Sequence, residues 1–154
     1  SIAPDKSFDV TLWAYERDIV DEINEQRTNK IYMPDTIIPD NLKATNDLNE
    51  ALKKARFVLN AVPAQFTRSV FKEAASFLNS EAVIISVAKG IERGSLLTVS
   101  TILNELTGHP VAVLSGPSFA KEVIKKLPTA VTLAINDINL GLILQEMFNT
   151  NYFR

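Results

Sequence analysis

The run Ala82-Val83-Ile84-Ile85-Ser86-Val87 constrains the fold more than any other part of the chain. It is apolar and β-branched at almost every position, so it lacks the polar alternation of a strand with one wet face. Such strands belong to parallel sheets covered by helices on both sides. Residues 10–14, 57–62, 111–114 and 130–135 read as strands for similar reasons. Between them the apolar period changes from two to about 3.6. Ile19, Val20 and Ile23 share a face in residues 17–26, and Phe66, Val70, Phe71, Ala74 and Phe77 do so in residues 65–78. Val99, Ile102, Leu103 and Leu106 are in phase across residues 97–106, and residues 117–126 and 140–148 also read as helices. Residues 29–41, with Pro34 and Pro39, read as a loop, and residues 42–45 as a short strand. Asp47-Leu48-Asn49-Glu50 resembles a capping box opening a short helix through Ala55. Strands alternating with helices predict a doubly wound, Rossmann-like α/β domain with a mostly parallel sheet.

Composition narrows the chemistry. The 154 residues suit one domain, residues 1–154, and the formal charge of −2 provides no bulk field for nucleic acid. The absence of Cys excludes thiolate catalysis and disulfides, and a single His, His109, excludes a multi-histidine metal site within the chain. His109 lies between a helix end and a strand and reads as a surface-loop residue. No apolar run reaches the ~18 residues of a membrane span, and residues 1–9 lack the apolar stretch of a signal peptide. The expectation is a cytoplasmic protein.

Ligands of doubly wound folds bind beyond the carboxyl ends of the strands. Tyr15, Glu16 and Arg17 follow the first strand; an acid there can bind ribose hydroxyls and an Arg can bind a 2′-phosphate, but a charged helix start would look the same. Pro63 stops the strand at residues 57–62, leaving Phe66 either against a flat ligand or in the core. Lys89-Gly90 follows the buried run, and its ammonium could hold a phosphate or polarise a carbonyl; the alternative is an exposed Lys in a turn. Ser115-Gly116-Pro117-Ser118-Phe119-Ala120 follows the fourth strong strand. Pro117 suits a first helical position there, which would aim helix N–H groups at the same crevice. The segment is not a nucleophile elbow, and neither a G-x-G-x-x-G nor a Walker A sequence occurs.

Taken in order, Val10 to Trp13, Asn29-Lys30-Ile31-Tyr32-Met33-Pro34, Ile38-Pro39-Asp40-Asn41-Leu42-Lys43-Ala44-Thr45, Ala61-Val62-Pro63-Ala64-Gln65-Phe66, Ala88-Lys89-Gly90-Ile91-Glu92, Ser115 to Ala120, Leu127-Pro128-Thr129-Ala130 and Phe153-Arg154 resemble one family. It is the N-terminal, cofactor-binding domain of NAD(P)-dependent glycerol-3-phosphate dehydrogenases. The resemblance implies that Lys89 contacts both substrate and cofactor. It implies that Gly116 and Ser118 lie near the glycerol phosphate, and that Tyr15, Phe66 and Ala120 lie near NAD or NADP. Tyr15 stands where bacterial members commonly carry Arg, which leaves the choice between NAD and NADP open. The family opens with a strand and a glycine-rich turn and carries its catalytic Lys in a C-terminal helical domain. The chain is therefore expected to lack the fold's first strand and helix, and to hold no catalytic Lys before Arg154. The implied activity interconverts sn-glycerol 3-phosphate and dihydroxyacetone phosphate and feeds glycerophospholipid synthesis, in a possible homodimer. The alternative is a non-catalytic nucleotide-binding or interaction module derived from that enzyme.

Overall fold

The computed structural model describes residues 8–154. Ser1 to Ser7, where the sequence offers no glycine-rich turn, lie outside the described residues. Among the described residues six strands alternate with six α-helices: β1 Val10–Trp13, α1 Arg17–Gln26, β2 Leu42–Thr45, α2 Leu48–Leu52, β3 Phe57–Asn60, α3 Ala64–Ala74, β4 Val83–Ser86, α4 Val99–Thr107, β5 Val111–Ser115, α5 Ala120–Ile124, β6 Thr132–Ala134 and α6 Ile138–Phe148. β1 and β2 form a parallel pair, whereas β3, β4, β5 and β6 form a second sheet in that order. The alternation of strands and helices reads as one sheet, and the structure instead separates β1–β2 from β3–β6. The β3–β4 and β4–β5 pairs are parallel, so the doubly wound expectation holds.

One strand departs from it. β6 is shorter than residues 130–135 and pairs antiparallel to β5, with Leu114 opposite Leu133. The connection through the short α5 returns the chain along the sheet's outer edge. This makes β6 an antiparallel edge on a parallel sheet, a common arrangement.

The fully buried Ile84 and Ile85 explain the apolar run. Successive side chains on a strand point to opposite faces. Ile84 packs with Phe71, Ala74, Val99 and Leu103 on one side of β4, and Ile85 with Ala112, Leu114, Leu144 and Phe148 on the other. α1 buries Ile19, Val20 and Ile23 against Ala44 of β2. Helix boundaries follow their caps. Asp47 accepts from the N–H groups of Asn49 and Glu50, but Glu50 does not close a reciprocal box. Its carboxylate accepts from the Thr45 hydroxyl instead, at 2.6 Å, and α2 stops at Leu52. Asp137 caps α6, which starts at Ile138, two residues before the expected start, and Thr98 caps α4. The helix expected over residues 65–78 is α3 followed by a 3₁₀ turn, Ala75–Phe77. His109 holds the Ala82 carbonyl at 3.1 Å, before β4 and away from the strand carboxyl ends.

Candidate functional site

The carboxyl ends of β3, β4 and β5 lie side by side, because the parallel register pairs Asn60 with Ser86 and Ser86 with Val113. Three connections leave this edge: residues 61–63 into α3, residues 87–98 into α4 and residues 116–119 into α5. The edge differs in chemistry from the core below it. Asn60 and Ser86 are buried, and Asn60 Nδ2 and Ser86 Oγ have no protein partner. Asn60 Oδ1 accepts from the Val62 N–H and shapes the turn into α3. Unpaired polar atoms in a native interior are rare and concentrate near functional sites.

Lys89 leaves the end of β4 with its side chain exposed. Its ammonium donates to the Gly116 carbonyl at 2.8 Å and stands 6.0 Å from the centre of the Phe119 ring. This contact joins two segments singled out from sequence, although the Lys89 side chain remains exposed. Gly90 follows with φ +102°, a conformation that side chains other than glycine strain to reach. Gly116 is required by a close approach: a Cβ there would stand 2.7 Å from the Ala130 carbonyl oxygen.

The helix after β5 corrects one expectation. Pro117 is not its first residue: α5 begins at Ala120, and Phe119 occupies the cap position. The Ser118 N–H is turned back to the Gly116 carbonyl at 2.9 Å. The ammonium therefore faces a carbonyl rather than a helix N-terminus, and a tight Gly-Pro turn takes up the residues that would have formed the first helical turn. Ser118 is half-buried in that turn, and its hydroxyl donates to the same carbonyl at 3.4 Å; Ala120 is exposed one residue beyond Phe119.

Phe66 and Tyr15 are 61% and 83% exposed. Phe66 is therefore not a core residue; it projects from the first turn of α3 at the crevice edge. Tyr15 stands beyond β1, in the other sheet, and contacts none of the Lys89 group in the structure's hydrogen-bond or ring interactions. The structure thus brings together Lys89, Gly116 and Ser118, sets Phe66 and Ala120 at the same strand ends, and leaves Tyr15 at a separate end.

Two groupings went unread in the sequence. Tyr32, from the 29–41 loop, donates its hydroxyl to Glu16 Oε1 at 3.0 Å, and the adjacent carboxylate raises the phenol pKa. Arg68 of α3 forks onto Glu92 in the loop after Lys89, at 2.9 and 3.0 Å. The bond from Arg68, with the Ser95 hydroxyl, holds the Glu92 carboxyl below its ordinary range. These partners are 16 and 24 residues apart, beyond the reach of periodicity. A groove of about 820 Å³ between β5, β6 and α6, lined by Leu133, Leu142 and Phe148 together with Asn136, Gln145 and Arg154, contains none of the expected site residues. Among the described residues no helix is long and apolar enough to cross a membrane, and no cluster of His, Asp or Glu could hold a metal.

A dinucleotide is a pair of flat rings joined by anions. Exposed Phe66 and the Lys89 ammonium, both beyond the strand carboxyl ends, offer an apolar face and a positive charge of the kind such a group needs. Residues 1–141 match the family model described as NAD-dependent glycerol-3-phosphate dehydrogenase N-terminus. A glycerol-3-phosphate dehydrogenase (NAD(P)+) from Citrifermentans bemidjiense is 43% identical over 153 residues, covering 97% of this chain and 46% of the relative. The crystal structure of glycerol-3-phosphate dehydrogenase from Coxiella burnetii superposes with a TM-score of 0.91 at 34% identity, covering 99% of this chain and 47% of that one. The Plasmodium falciparum glycerol-3-phosphate dehydrogenase superposes with a TM-score of 0.90 at 26% identity, over 99% and 45%. The chain spans about half the length of the curated relatives it matches.

Proposed function

The chain belongs to the family of NAD-dependent glycerol-3-phosphate dehydrogenase N-termini, and from that premise we propose that it is the cofactor-binding part of an oxidoreductase acting on the sn-glycerol 3-phosphate and dihydroxyacetone phosphate pair with NAD or NADP. The observation that carries this reading is Lys89, fixed at the end of a buried strand with its ammonium 2.8 Å from the Gly116 carbonyl. When bound, the nicotinamide supplies or accepts the hydride. The protein's part is binding and orientation. Phe66 offers an apolar face to a ring of the cofactor, and Ala120 leaves room beside it. Lys89 attracts the substrate's phosphate or the carbonyl oxygen on which negative charge develops. Gly116 and Ser118 shape the wall that faces the substrate, and Tyr15 borders the adenosine end. Supply of glycerol phosphate for glycerophospholipid synthesis is the metabolic role consistent with this chemistry.

Lys89→Met tests the reading, because it keeps much of the bulk and removes the charge. A lost charge-assisted hydrogen bond costs about 1.5–3 kcal/mol, or one to two orders of magnitude in rate or affinity. In the protein as its gene encodes it, kcat/KM for dihydroxyacetone phosphate should fall at least tenfold, with thermal stability nearly unchanged. Activity within twofold of wild type would make Lys89 an ordinary surface lysine. The alternative, a non-catalytic module, predicts no dihydroxyacetone phosphate-dependent oxidation of NADH by that same protein.

A further inference from the structure

We infer that Gln65 and Arg68, both on α3, are positioning residues for Lys89: they clamp the loop of residues 87–98 and so fix the height of the ammonium above the sheet. The inference rests on the reading of Lys89 given above. Gln65 uses both ends of its amide. Its Nε2 donates to the Ile91 carbonyl at 2.7 Å, and its Oε1 accepts from the Arg93 N–H at 3.0 Å. One side chain thus does for the loop what a neighbouring strand would do. Arg68 grips the residue between them, with Nε donating to Glu92 Oε1 at 2.9 Å and Oε2 at 3.0 Å. Ser95 Oγ donates to the same carboxylate at 2.5 Å, and Arg68 Nη1 reaches Glu105 of α4 at 3.5 Å. The far side of the loop is closed by an antiparallel bridge between Ile91 and Thr98.

The need for a clamp follows from Gly90. A glycine at φ +102° separates Lys89 from Ile91, and glycine is the most freely rotating joint a chain has. Without an outside hold at Ile91, Glu92 and Arg93, rotation at Gly90 would let the lysine leave the Gly116 carbonyl. Gln65 also adjoins Phe66, so the helix turn that presents the aromatic face holds the cationic loop as well. The two halves of the crevice are thereby built on one rigid element.

The test uses Gln65→Met and Arg68→Met, each alone and in a Lys89→Met background, in the protein as its gene encodes it. Amide hydrogen exchange at residues 90–92 should rise about tenfold or more in each single variant while the melting temperature moves little, the signature of local opening. kcat/KM for dihydroxyacetone phosphate should fall about fivefold or more. In the Lys89→Met background Gln65→Met should have no further effect, since residues acting through one another are not additive. Unchanged exchange overturns the clamp. Raised exchange with an equal further loss in the Lys89→Met background overturns the claim that Gln65 acts through Lys89. Raised exchange with a silent Lys89→Met instead sinks the underlying reading of Lys89. Gln65 is exposed and outside the core, so it carries the test alone if Arg68→Met fails to fold.

Discussion

Gly116 meets two demands at once: its carbonyl receives the Lys89 ammonium, and its missing side chain lets the backbone pass the Ala130 carbonyl. Gly116→Ala places a methyl 2.7 Å from that oxygen, so the backbone must shift. Overpacking of this kind costs about 1–3 kcal/mol. Denaturant titration should show that loss, together with a weakened Lys89 contact; an unchanged midpoint would mean that the turn yields freely. A second residue-scale expectation concerns acid. The fold holds Glu92 below the ordinary carboxylate range, chiefly through the bond from Arg68 and then that from Ser95. A depressed carboxyl contributes stability that is present above the unfolded pKa and is lost as pH falls through the folded pKa. The stability difference between wild type and Glu92→Gln should therefore shrink as pH falls through the ordinary carboxylate range and then through the depressed folded pKa; a constant difference would show that the pair does not couple to folding. At this scale Lys89 was legible because a buried strand fixes whatever follows it. Its supports were not, because Gln65 and Arg68 reach Ile91 and Glu92 in the loop after it across 26 and 24 residues and nothing local marks them.

Elements were legible in kind and less so in extent. β4 and α4 declare themselves through runs of buried Ile, Val and Leu. Their ends depend on individual hydrogen bonds. Asp137 starts α6 early because its carboxylate accepts from Asn139 and Leu140 N–H groups. α5 starts late because Gly116 and Pro117 are consumed in a turn. β6 was readable as a strand, but its direction depends on how the chain returns from α5, which no strand pattern encodes. Asp47 offers a clean check at this scale. It caps α2 through two N–H groups, so Asp47→Ala should cost about 1 kcal/mol, within a usual range of 0.5–2. Equal stability of the variant, measured by urea denaturation, would show that Thr45 and Glu50 hold the helix start without it.

The described residues form two sheets, a parallel β1–β2 pair and a mixed β3 to β6 sheet with an antiparallel edge, on one doubly wound plan. The plan was legible from alternation alone, whereas the division into two sheets was not, because the alternation reads as a single sheet. Among the described residues no strand-to-helix turn is glycine-rich: β1 passes to α1 through Ala14, Tyr15 and Glu16. Pyrophosphate binding in such folds draws on a glycine turn feeding a helix start. Calorimetry of the 154-residue chain with NADH should therefore show weak binding; micromolar affinity would mean that another segment replaces that turn. We propose that the crevice around Lys89 selects a phosphorylated ketone for hydride transfer. Its most direct measurement compares NADH oxidation by the gene-encoded protein with dihydroxyacetone phosphate and with unphosphorylated dihydroxyacetone. Saturable turnover with the phosphate ester, and kcat/KM lower by at least about tenfold without the phosphate, is the expected result, as removal of a charge-assisted contact requires. Equal rates with both ketones, or turnover with neither, would contradict it.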